Sequence, residues 1–266
     1  IPTTSIRLPD REGEITRVTG KSRYYVAEGH MMPSVTSVLS TVWPKPALFN
    51  WYAKRGREAM AEHLSGHVGD ILTDDMLSSG VEQARIKPQA EADEAADLGS
   101  QAHDLISRQL KGESVDVPMS LKTVMMAFNS WMAEQKVVLI DSEVAIYHRT
   151  PMYPPYVTQG YAGTIDALFR RADGTMLLVD FKTSKGVYPD HLVQLEAYRQ
   201  AILWMSGLPQ MQQGKLDAQI IKLGKQQPTF EVADVPNSAE SRDKWWKSFE
   251  FYLAYMAKEK ADDMSA

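Results

Sequence analysis

The sequence predicts an α/β fold, a central mixed β-sheet flanked by helices, and three observations carry that prediction. Residues 137 to 146 are rich in β-branched side chains, and two further strand-like runs, 160 to 171 and 175 to 182, close on the turn Ala172-Asp173-Gly174. Apolar residues at helical spacing stand on both sides of these runs. The hairpin makes at least one strand pair antiparallel, so a sheet flanked by helices is here a mixed one.

Taken in order, residues 14 to 27 alternate around Ile15, Val18, Tyr24 and Val26, with Thr19-Gly20-Lys21 as the turn of an opening hairpin. In Pro33-Ser34-Val35-Thr36-Ser37-Val38-Leu39, Ser34 or Thr36 caps a short helix that Pro44 ends. Residues 47 to 64 then form a helix bearing Leu48, Trp51, Tyr52, Ala59 and Leu64. Residues 1–88 thus read as a small mainly helical module, and 89–266 as the core. Leu98, Ala102, Leu105, Ile106 and Gln109 keep helical spacing over 89 to 111 until Gly112 stops it, and Leu121, Val124, Phe128, Trp131 and Met132 repeat it over 120 to 135. Residues 151 to 155 hold three prolines and read as a loop, either a lid or a plain connection. A helix at 190 to 206, strands near 217 to 223 and 229 to 235, and a helix at 240 to 258 complete the chain.

Composition narrows the chemistry. With 266 residues, 44% of them hydrophobic, the chain buries one large core with room for a smaller subdomain. The absence of cysteine removes disulfides, thiol nucleophiles, zinc–thiolate sites and iron–sulfur clusters, so any metal must take oxygen and imidazole ligands. No apolar run approaches the roughly 18 to 20 residues that span a bilayer, and the first residues are too polar for a secretory signal. A cytoplasmic protein with no membrane partner is the expectation. A net charge of -5 argues against coating nucleic acid through bulk electrostatics but leaves room for local basic groups. Two such groups occur, Arg7, Arg11, Arg17, Lys21 and Arg23, and then Lys54, Arg55 and Arg57; solvated surface is the plainer reading of both.

The hairpin places chemistry. With the turn centred on Asp173, Asp166 and Asp180 stand seven residues to either side and face each other. Opposed side chains on an antiparallel pair lie about 4.5 to 5.5 Å apart at Cβ, and two carboxylates so placed repel. The strand period puts Lys182 on the same face as Asp180 and leaves Ile165 and Phe181 on the apolar one. A bridging Mg²⁺ or Mn²⁺ would relieve the repulsion and suits phosphodiester hydrolysis, with the lysine countering charge on the phosphorane or orienting or deprotonating the attacking water. Geometry alone leaves open an Asp–Lys ion pair beside an unrelated Asp.

Gly163-Thr164-Ile165-Asp166, Val179-Asp180-Phe181-Lys182-Thr183 and Gln194-Leu195-Glu196-Ala197-Tyr198 occur in that order, and together they resemble the RecB-like branch of the PD-(D/E)XK nuclease superfamily. The resemblance covers roughly residues 96 to 200 and implies a restriction-endonuclease-like core. It implies that Asp166 and Asp180 are metal ligands, that the backbone carbonyl of Phe181 can be another, and that Lys182 is the catalytic lysine. Gln194 and Tyr198, four apart on one helical face, would look over the site. Gly99-Ser100-Gln101-Ala102-His103 matches an element whose histidine completes the metal shell, which tilts the ion toward Mn²⁺ without excluding Mg²⁺. Glu143 matches an acidic residue that either binds metal or supports the site. Residues 33 to 51 resemble the front module of phage-type exonucleases and of the mitochondrial genome maintenance exonuclease, which implies that Trp51, Tyr52, Lys54, Arg55 and Arg57 guide a single DNA strand, with core packing the plainer job for at least one of the two aromatics.

The function implied is a metal-dependent exonuclease acting on single- or double-stranded DNA with free ends, in recombination or repair, phage or prophage encoded, with a recombination protein as partner. An endonuclease of the same superfamily and a non-cleaving DNA-binding module are the alternatives.

Overall fold

The structure is a computed structural model that describes residues 15–19, 23–150, 160–206 and 216–263. The opening turn at Gly20, the cations Arg7, Arg11 and Lys21, and the proline stretch 151–155 lie outside the described residues. By compactness the chain divides into two units, residues 44–101 and the remainder.

The larger unit opens with an antiparallel sheet of β1 (Ile15–Thr19), β2 (Arg23–Ala27) and β3 (His30–Pro33). Its β2–β3 turn uses Glu28 and Gly29, both at positive φ, as a tight reversal of twisted strands requires. Helix α1 (Val35–Val42) follows, capped by Ser34, whose Oγ accepts from Ser37 N at 2.9 Å.

Five strands form the central sheet in the order β4 (Val137–Arg149), β5 (Gly160–Arg171), β6 (Met176–Lys182), β7 (Leu216–Leu223) and β8 (Phe230–Asp234). Among the described strands of this sheet β6 and β7 are the parallel pair, with α5 (Pro189–Ser206) between them in sequence, so the sheet is mixed as its hairpin requires. Strand β6 reads Met-Leu-Leu-Val-Asp-Phe and is buried on both faces, because helices cover it from either side. On one face α1, α5 and α6 (Ala239–Asp263) enclose a core that includes Leu39, Ile165, Leu178, Ile202, Ile220, Trp245 and Phe249. On the other, Phe128 and Trp131 of α4 (Lys122–Glu134) meet Phe169 and Phe181 edge to face at ring separations of 5.4 to 5.7 Å.

Residues 44–101 comprise α2 (Pro46–Ser65) and the front of α3 (Asp74–Leu110). The helical pattern read from residue 89 thus begins fifteen residues earlier, at Asp74. Pro88 lies inside α3, and lacking an N–H it leaves the carbonyl of Ala84 without its helical donor. Gly56 of α2 packs there: a side chain at Gly56 would stand 3.0 Å from that oxygen.

Candidate active site

Strand β6 ends at the site, where its last residues carry Asp180 and Lys182 beside the first turns of α5, as expected for an open sheet with a parallel crossover. The hairpin register holds as far as Ala167↔Val179; beyond it Ile165 and Phe181, expected together on one apolar face, turn to opposite faces of the sheet. There the ladder stops, and Asp166 Oδ2 accepts a 2.7 Å hydrogen bond from the Phe181 N–H.

The closest donor group is His103, Glu143 and Asp166, whose ligand atoms all lie within 4.8 Å of one another; it is the group of that kind among the described residues. His103 reaches it from α3, with Nδ1 3.1 Å from Asp166 Oδ2. One turn on, Ser107 hydrogen-bonds Ser142 at 3.2 Å and seats α3 against β4 beside Glu143. Glu143 lies opposite Asp166 in the β4–β5 register and takes a φ of 56°, a left-handed conformation that an L-residue adopts at a cost of about 1–2 kcal/mol. A strand interior rarely tolerates that, and such outliers gather at functional sites.

Asp180 stands apart from this group and is gripped from α5 and from its own strand. Lys182 Nζ lies 2.8 Å from Asp180 Oδ2, with the two side chains 18% and 3% exposed. The ammonium therefore counters the charge on that buried oxygen directly. Gln194 bridges the pair: Lys182 Nζ donates to its Oε1 at 3.4 Å, and its Nε2 donates to Asp180 Oδ1 at 3.3 Å and to Tyr198 OH at 3.2 Å.

Electrostatics follow from this packing. Asp166 and, less strongly, Asp180 hold the His103 imidazole protonated, its pKa raised to about 9 against burial. Burial pushes Asp180 up to about 6, aided by Asp166 and opposed by Lys182. At Asp166 burial also acts upward, but His103, Lys182 and the Phe181 N–H outweigh it and hold the carboxyl below its usual range. Burial would lower Lys182, yet Asp180 and Asp166 prevail and keep it above the ordinary lysine value. Burial and Asp166 raise Glu143, against His103, Arg17 and Lys111.

The set fits a small divalent cation. Two carboxylates and an imidazole converge, a third carboxylate stands nearby paired with Lys182, and in the protein alone protonated His103 carries positive charge among the first two acids. A buried ion pair such as Lys182–Asp180 adds little net stability, so its presence beside such donors marks a site better than it marks a structural brace.

Of the residues read from the sequence, His103, Glu143, Asp166, Asp180, Lys182, Gln194 and Tyr198 come together, and Phe181 contributes its N–H. Trp51, Tyr52, Lys54, Arg55 and Arg57 lie in the unit of residues 44–101. There Trp51 and Tyr52 meet edge to face at 5.0 Å, and Lys54 lies 3.7 Å from Glu58. Arg55 is held by Glu58 and Glu91, and Arg57 is exposed. Sequence reading passed over Lys111, the residue after α3, whose charge acts on Glu143.

No family model and no curated protein matches the chain. Among solved structures it matches SSO0001 at 12% identity and a TM-score of 0.37, over 75% of this chain and 85% of that one. It also matches an alkaline exonuclease from Laribacter hongkongensis, LHK-Exo, at 13% identity and a TM-score of 0.34, over 62% of this chain and 85% of that one. Likeness at this level leaves the site to be read from its own side chains.

Proposed function

We propose that this protein is a metal-dependent nuclease that hydrolyses DNA phosphodiester bonds, acting as an exonuclease on free ends. The observation that carries the reading is the buried Lys182 ammonium, paired with Asp180 and braced by Gln194, on a strand whose next residue back is tied to the donor group at Asp166. His103, Glu143 and Asp166, with Asp180 beside them, would hold Mg²⁺ or Mn²⁺, which when bound polarises a phosphate oxygen and acidifies a water. The chain's own residues do the rest. Lys182, held charged by its two carboxylate neighbours, serves as an ammonium that counters charge on the phosphorane rather than as a base. Gln194 fixes that ammonium through its amide oxygen, and Tyr198 fixes the amide.

DNA as substrate rests on the motif order from Gly163 to Tyr198, since a net charge of -5 gives no bulk attraction to it. The same resemblance supports a role in recombination or repair in the cytoplasm of a bacterial or phage-infected cell, with a recombination protein as partner. It also supports strand guidance by Trp51, Lys54 and Arg57; Arg55 has less to offer a phosphate, its charge being already met.

The test is end-labelled linear and closed circular DNA, single- and double-stranded, incubated with wild type, Asp180→Ala or Lys182→Ala in Mg²⁺, Mn²⁺ or EDTA. Loss of linear substrates alone, dependent on metal and absent from both folded variants, is expected. Cutting of circles would make the protein an endonuclease, and binding without cutting would make it a binding module. Undiminished metal-dependent cutting by either variant would refute the site.

A further inference from the structure

Gly163 stands inside β5, and its φ lies outside the left-handed region, so its backbone makes no demand for glycine. What demands it is the ring of Tyr198. A side chain at residue 163 would begin 2.4 Å from Tyr198 Cε1, 3.1 Å from Cζ and 3.2 Å from the hydroxyl, all inside van der Waals contact. The ring is only 4% exposed, so it has little room to yield.

The same ring sets the next group. Gln194 Nε2 donates to the Tyr198 hydroxyl and to Asp180 Oδ1, while Oε1 accepts from Lys182. With an ammonium on one side and a carboxylate and a phenol on the other, the amide has one favourable orientation. We propose that Gly163 is a positioning residue: its missing side chain seats the Tyr198 ring, and through Tyr198 and Gln194 that seat fixes the Lys182 ammonium against Asp180. The assignment rests on the nuclease reading of Lys182. It makes β5 responsible for both halves of the site, since Asp166 follows three residues later on the same strand.

A glycine that merely lets a helix approach a sheet would affect stability alone. The two roles separate in a double-mutant cycle of Gly163→Ala with Tyr198→Leu, which removes the ring but keeps an apolar filler. In the wild-type background, Gly163→Ala should lower kcat on linear DNA on the order of tenfold to a hundredfold, the scale of a small misplacement of a catalytic group. KM for DNA should stay within about twofold. In the Tyr198→Leu background the same change should have almost no further effect. If Gly163→Ala does not fold, the double variant should, because the overlap is gone.

A second readout needs no activity. In the ¹⁵N spectrum of metal-free protein, the Gln194 side-chain amide should shift in Gly163→Ala. Wild-type kcat in Gly163→Ala, equal losses in both backgrounds, an unfolded double variant, or an unmoved Gln194 amide would each overturn the proposal. Absence of cleavage by wild type would instead sink the nuclease reading, and the amide shift would still decide whether the seat exists.

Discussion

The proton on His103 is held by Asp166 and Asp180, and a metal ion bound to that imidazole must displace it. Its pKa is raised from 6.5 to about 9 on folding, so the stabilisation is complete below 6.5 and is lost as pH climbs through 9. His148 has the opposite sign: burial pushes it down to about 4, so it contributes stability above 6.5 and loses it as pH falls toward 4. Between pH 7 and 9, therefore, His103 sets the trend. Urea midpoints of EDTA-treated protein should fall across that window, and His103→Gln should flatten the slope. Titration with Mn²⁺ at pH 7 should release close to one proton, a release that the variant loses.

At the scale of elements, α5 is fixed by an ion pair that water does not reach. Glu196 and Arg199 are both 0% exposed and 2.9 Å apart, and Arg199 donates to the carbonyls of Val235 and Pro236 at 2.6 and 3.2 Å. That clamp ties the helix bearing Gln194 and Tyr198 to the chain leaving β8. Removing one partner strands a buried charge, so Arg199→Met alone should cost about 3–5 kcal/mol in urea unfolding. Glu196→Leu with Arg199→Met should cost clearly less than the two single changes added together.

Most elements were legible because one rule governs each. The Asp173-Gly174 turn, with Gly174 at φ 86°, fixed the hairpin register as far as Ala167 and Val179, and Ser34 announced α1. The front of α3 was not legible, because residues 74 to 88 are largely polar and end in Pro88, which reads as a stop. Strand β3 has four residues and exists by pairing with β2, which no local pattern reveals. At the site, residue types and their grouping could be read from motifs. The turn of Asp166 toward the Phe181 N–H could not, since it arises where the β5–β6 ladder ends, nor could the slip between Leu139 and Asp141, an extra residue within a continuous strand pair.

For the molecule as a whole, two helical layers around a mixed sheet leave no described helix long and apolar enough to cross a membrane. Stability then depends on a core that spans both faces of β6, and the site is set into one end of that core. Glu143 is where the two requirements meet. Its left-handed φ of 56° within β4 penalises every L-residue, so Glu143→Gly should exceed Glu143→Ala in unfolding free energy by about 1 kcal/mol, the reverse of the usual order in a strand. Urea denaturation of the two variants without metal checks it. A library of this gene selected only for heat resistance should therefore drift toward glycine at residue 143, and one selected for cleavage should keep the acid.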